Sequence, residues 1–145
     1  MSILNYTTKI EADQTVGEIQ RILAKHGANA IMNQYDDQGY IKSLSFKMNL
    51  NGKEIGFRLP TDWRPILVIL KNDRDVPGKL KSDEQALRVA WRIVKVWIEA
   101  QMAIIETKMV KMEQIFLPYV VTKNGETMSE KFINDPKFLL GKGDE

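Results

Sequence analysis

The dipeptide Asn51-Gly52, set between two runs of alternating polarity, constrains this chain more than any other feature. A two-residue type I′ turn needs positive φ at both central positions, and Asn-Gly tolerates that best. With Leu50 and Lys53 flanking the turn, Met48 faces Ile55, Phe46 faces Phe57 and Leu44 faces Leu59. These apolar pairs share one side of the hairpin, while Asn49/Glu54 and Ser45/Arg58 share the other. Tyr40–Leu50 and Lys53–Leu59 are therefore expected as paired antiparallel strands with one face in a core. The opposite face carries Ser43, Ser45, Lys47 and Arg58. It reads most simply as solvated surface, and otherwise as a ligand platform. It offers no aromatic ring from this pair, unlike a sheet that stacks RNA bases.

Residues 3–10 (ILNYTTKI) are rich in β-branched and aromatic side chains and are expected as a first strand. Thr15 and Glu18 have capping-box spacing, so a helix should start there, bury Val16, Ile19, Ile22 and Leu23, and stop at Gly27. Residues 28–35 are expected as a further strand, turning through Asp36-Asp37-Gln38-Gly39 into the hairpin. A short apolar helix follows from Trp63 to about Leu70, with Thr61 or Asp62 as its cap and Pro65 in its first turn. Together these elements predict an α+β domain with an N-terminal βαβββ antiparallel meander, then a short helix and one long helix. The whole chain, 1–145, is expected as a single domain with a sheet-rich half (1–60), a helical half (61–113) and a C-terminal strap (114–145).

The long helix opens at a second capping box, Ser82 with Gln85. No Gly or Pro interrupts Ser82 to Leu117, and a helix reaching Met112 would be roughly 45 Å long. A compact domain of this size is about 40 Å across. The helix has a narrow polar stripe, Arg88, Arg92, Lys95 and Glu99, and an apolar remainder that includes Trp91 and Trp97. A small sheet cannot cover so wide an arc, so the helix is expected to pack against a second copy, with Trp91 or Trp97 near the contact. Beyond Pro118, an Asn124-Gly125 turn, a short helix at Ser129–Ile133 and a loose GKGDE end are expected.

Composition then excludes function classes. The chain has 21 basic and 19 acidic residues, one His and no Cys. Charge is evenly spread, which disfavours a duplex-binding footprint. Zero Cys fits a reducing, cytoplasmic compartment and removes thiolate metal sites. The apolar run Val89–Ile105 is broken by Arg92, Lys95 and Glu99, so no membrane span is expected. His26 falls in a helix's last turn, where the dipole accounts for it without a catalytic role. Neither a nucleophile triad nor a Gly-rich phosphate loop can be assembled. The chain is expected not to be an enzyme and to need no metal or cofactor.

Binding remains. Arginine suits phosphate and aromatic rings suit bases, which makes Arg58, Arg64, Arg88 and Arg92 the candidate phosphate ligands and Trp63 and Tyr119 the candidate stacking groups, with Lys47 added from the sheet face. The blocks FRLPTDWRPILVILKND, EQALRVAWRIVKVWIEAQMAIIE, IFLPYVVTKNGE and NYTTKI…TVGEIQRILAKHGA resemble small proteins of phage and prophage genomes. Within that group the chain resembles the anti-Thoeris sponges. The resemblance implies a non-enzymatic, oligomeric inhibitor of host defence that sequesters a cyclic nucleotide or ADP-ribose-type signal in the host cytoplasm. The alternatives are a phage nucleic-acid-binding protein, acting on single strands, and a protein-interaction module.

Overall fold

A computed structural model describes residues 1–135 of the chain; the expected loose GKGDE end lies outside them. The elements run α1 (Ala12–Lys25), β1 (Ala28–Tyr35), β2 (Ile41–Leu50), β3 (Lys53–Arg58), α2 (Arg64–Asn72), α3 (Asp83–Glu106), α4 (Met112–Phe116) and α5 (Met128–Asn134). This is an α+β fold: an antiparallel sheet of order β1-β2-β3 with helices on one face.

The hairpin register is the expected one, with Phe46 opposite Phe57, Met48 opposite Ile55, Ser45 opposite Arg58 and Leu50 opposite Lys53. Asn51 and Gly52 have φ of 55° and 87°, the left-handed values a type I′ turn requires. Leu59 N–H donates to the Leu44 carbonyl at 3.0 Å, which extends the pairing past β3. Between β1 and β2 the register shifts twice, at Ala28/Ala30 near the start of β1 and at its far end, where Gln34 pairs with Ser43 but Tyr35 with Ile41. Lys42 is the extra residue. This bulge reverses the in-out alternation, so Ile41 and Leu44 both reach the core.

The inner face meets α1, α3 and α4. Val16, Ile19 and Leu23 of α1 and Trp91, Val94, Ile98 and Met102 of α3 close over Leu44, Phe46, Met48 and Phe57. Phe46 and Phe57 stack at 4.9 Å, and Phe116 of α4 meets both edge-on. A smaller cluster under α2 holds Leu70, Val76 and Ala86 against Ile3 and Tyr6.

Several local expectations change in three dimensions. Residues 3–10 form turns in place of a strand, with Asn5 at φ 65°. Their carbonyls at Tyr6 and Thr8 accept from the Gln85 side chain, so that segment is held by α3 and not by a sheet edge. Helix α1 starts three residues early, at Ala12; Thr15 lies buried inside it and accepts from Arg92 at 3.3 Å. Neither Thr61 nor Asp62 is the N-cap of α2, which is Trp63. The Thr61 hydroxyl donates to the Lys42 carbonyl, and Asp62 accepts from the Arg64 backbone.

Helix α3 has its expected Ser82 cap, with Gln85 N–H donating to Oγ at 3.1 Å, but it ends at Glu106. Thr107 turns its hydroxyl onto the Ile104 carbonyl and Lys108 adopts φ 67°, a left-handed stop without glycine. At 24 residues the helix is about 36 Å long and stays within the domain. Its apolar arc is largely covered by its own chain. Trp91 is fully buried, with an indole N–H that has no acceptor among the described residues. Trp97 is half-buried against Phe116 and Tyr119. Trp91 therefore cannot stand at a contact between copies; of the apolar arc, Val96, Ala100 and Ala103 remain exposed, with Ile93 and Ile104 half-buried beside them. The tail helix lies where expected, at α5, capped reciprocally by Thr127 and Glu130.

Candidate ligand-binding site

Among the described residues no helix packs across the outer face of the sheet, although α5 borders it where Arg58 reaches Glu130. Alternation places Ala30 and Met32 of β1, Ser45 and Lys47 of β2, and Gly56 and Arg58 of β3 on it. Beyond β3 the strap comes alongside: Val121 N–H donates to the Gly56 carbonyl at 2.8 Å, and Val120 bridges Phe57. The strand curvature and the missing side chain at Gly56 leave an open trough of about 270 Å³. A Cβ built at Gly56 would meet no atom within 4 Å, so the residue leaves space over the sheet. The floor is aliphatic, because Phe46 and Phe57 turn their rings inward.

Two cations border this trough. Lys47 is exposed and has no carboxylate partner among the described residues. Arg58 is tied to the strap, donating from Nη2 to Glu130 at 2.9 Å and to the Gly125 carbonyl at 3.1 Å. The Thr127 backbone N–H and hydroxyl, then Arg58, hold the Glu130 carboxyl below its ordinary range. An anion approaching Arg58 would therefore compete with a carboxylate already in place.

The remaining candidates lie elsewhere. Trp63 and Arg64 line a separate polar notch of about 530 Å³ with Asp36, Lys42, Asp62 and Asp83. Arg64 grips Asp62 with two bonds of 2.8 Å, and that grip lowers the Asp62 pKa. Three carboxylates against two cations make the notch unfavourable for phosphate. Trp63, half-buried, meets Tyr40 edge-on at 6.0 Å and packs against the core from the side of the notch it lines. Tyr119 is likewise occupied by Trp97 at 5.5 Å.

Arg88 and Arg92 face α1. Arg88 donates to Glu11 at 3.2 Å and to the Gln85 side chain, and Arg92 donates to Glu18 at 2.8 Å. Lys95 joins Glu18 at 3.4 Å. Burial raises the Glu18 pKa, but the Arg92 hydrogen bond and the two positive charges outweigh it and leave the carboxyl below its ordinary value. These arginines join two helices. His26 sits at the end of α1 between the Ile22 carbonyl and Glu106, both at 2.8 Å, with no nucleophile in the arrangement. Among the described residues no group of three His, Asp or Glu side chains is spaced to hold a metal, and no helix is long and apolar enough to cross a membrane.

Of the seven candidates, then, the fold unites Lys47 with Arg58, Trp63 with Arg64, and Arg88 with Arg92 in three separate places, and leaves Tyr119 apart. The trough's own floor, Ala30, Met32, Gly56 and Val121, was absent from the sequence-based set. Three of its members could have been found by continuing the period-two alternation that placed Lys47 and Arg58. Val121 could not, because its position depends on the fold of the strap. Comparison with protein-family models, with curated proteins and with solved structures yields no match, so the reading of this site rests on the chain's own geometry.

Proposed function

We propose that the protein binds and sequesters a small phosphorylated molecule, leaving it chemically intact, and that it does so in the trough on the outer face of the sheet. One observation carries this: an uncovered aliphatic floor, the right size for a base or sugar, sits between Lys47 and Arg58. Apolar surface with a few placed polar groups is the usual make-up of a small-molecule site. Lys47, without a carboxylate partner among the described residues, is the first contact for phosphate; Arg58 follows if the ligand displaces Glu130. The resemblance to phage anti-defence proteins supports a cyclic nucleotide or ADP-ribose-type signal as the ligand, and action in the host cytoplasm.

Calorimetry of the intact protein against cyclic nucleotides, ADP-ribose derivatives and single-stranded DNA tests the proposal. A nucleotide should bind more tightly than about 100 μM, equivalent to roughly 5.5 kcal/mol, and Lys47→Ala should weaken it several-fold. Binding of single-stranded DNA alone would replace this reading with the nucleic-acid one.

A further inference from the structure

Among the described residues strand β1 is an unprotected sheet edge, and we infer that it pairs antiparallel with β1 of a second copy, joining two sheets into one about a two-fold axis at Met32. The inference concerns assembly and stands whether or not the trough binds a nucleotide.

The hairpin fixes which backbone groups are free. A two-residue turn makes Leu50 and Lys53 a hydrogen-bonded pair, so the even-numbered residues of β2 direct their N–H and C=O to β3. The Leu59 N–H bond to the Leu44 carbonyl follows the same parity. Ser43, Ser45 and Lys47 consequently bond to Gln34, Met32 and Ala30. That leaves the N–H and C=O of Ile31 and Asn33 pointing away from the sheet, and among the described residues no other backbone bond to either is present. Beyond the register shift at the far end of β1, Tyr35 is also directed outward, since Asp36 N–H donates to Tyr40 at 2.8 Å.

The side chains along this edge match a copy of themselves. Natural edges are guarded by Lys, Pro or inward charges. Residues 27–35, GANAIMNQY, contain none of these. About a two-fold axis the strand faces itself, residue i meeting j and j meeting i, so an edge without charge brings no like charges together. Ile31 of each copy would exchange both backbone bonds with Asn33 of the other. Met32, 55% exposed although it lies in mid-strand, would meet its counterpart as the close, non-hydrogen-bonded pair. At the opposite edge the strap pairs with β3 at Gly56 and Phe57, through the Val121 N–H bond to the Gly56 carbonyl and the Phe57–Val120 bridge, and the charged Lys53, Glu54 and Arg58 guard the remainder. With one edge open and one closed, association stops at two chains and cannot propagate into a fibre.

Sedimentation equilibrium at 100 μM should give twice the 16.7 kDa of one chain. Met32→Lys, which sets two ammonium groups against each other at the axis, should return the monomer with an unchanged circular dichroism spectrum. Val96→Lys, on the exposed strip of α3, should leave the dimer intact. Hydrogen exchange supplies a second readout, with the Ile31 and Asn33 amides protected in wild type and at least tenfold less so in Met32→Lys. A wild-type monomer at 100 μM overturns the inference. So does a dimer that survives Met32→Lys, or one that Val96→Lys dissociates, which would assign the contact to the helix.

Discussion

Replacing Phe46 with Ala probes the whole construction, since that ring joins the hairpin register, the inner layer and α4. Phe46 is 2% exposed, stacked on Phe57 and met edge-on by Phe116 at 6.1 Å. Truncating a fully buried Phe costs about 3–5 kcal/mol through lost transfer energy and residual cavity. Two ring contacts worth about 0.5–1.5 kcal/mol each fall within that loss and place Phe46→Ala in its upper half. With a urea m-value of about 2 kcal/mol per molar for a domain of this size, the unfolding midpoint should drop by about 2 M. The assay is equilibrium urea unfolding, followed by tryptophan fluorescence and circular dichroism together. Met32→Ala, on the outer face, is the control. Measured well below the dimer's dissociation constant, it should move the midpoint by less than about 0.5 kcal/mol equivalent. A loss under about 1.5 kcal/mol for Phe46→Ala, or equal losses for the two variants, would refute the assignment of faces and with it the position of the trough.

Gly52→Ala should cost about 1–2 kcal/mol. The φ of 87° is unfavourable for any Cβ, yet the added methyl meets no atom within 4 Å, so the loss is conformational and Gly52→Asn should recover part of it. Acid should weaken the fold as well. Glu18 ionises below its ordinary 4.5 in the folded chain, so its contribution is fully present above that value and is lost as pH falls through the lower, folded pKa. Glu18→Gln should flatten that acid limb, and an unchanged stability-against-pH profile below about pH 4.5 would remove Glu18 as its source.

Much of the fold was determined by sequence alone. Asn51-Gly52 fixed a turn, the turn fixed the parity, and parity fixed which side of β2 and β3 each residue occupies, because a one-residue slip would have exposed Phe46 and Phe57 together. Gly27, Ser82 and the α5 segment were legible for the same reason: each is decided by groups within a few residues along the chain. What the sequence could not settle depends on partners far away. Residues 3–10 have the composition of a strand but no neighbouring edge to join, and Gln85 of α3 claims their carbonyls. The wide apolar arc of α3 looked uncovered because the sheet was counted and α1, α2 and α4 were not. The arginines show the limit most clearly. Their type suited phosphate, but the tertiary fold set Glu130, Glu11 and Glu18 beside Arg58, Arg88 and Arg92, each at least 72 residues away along the chain. An ion pair is set by distance in space, and sequence gives only distance along the chain.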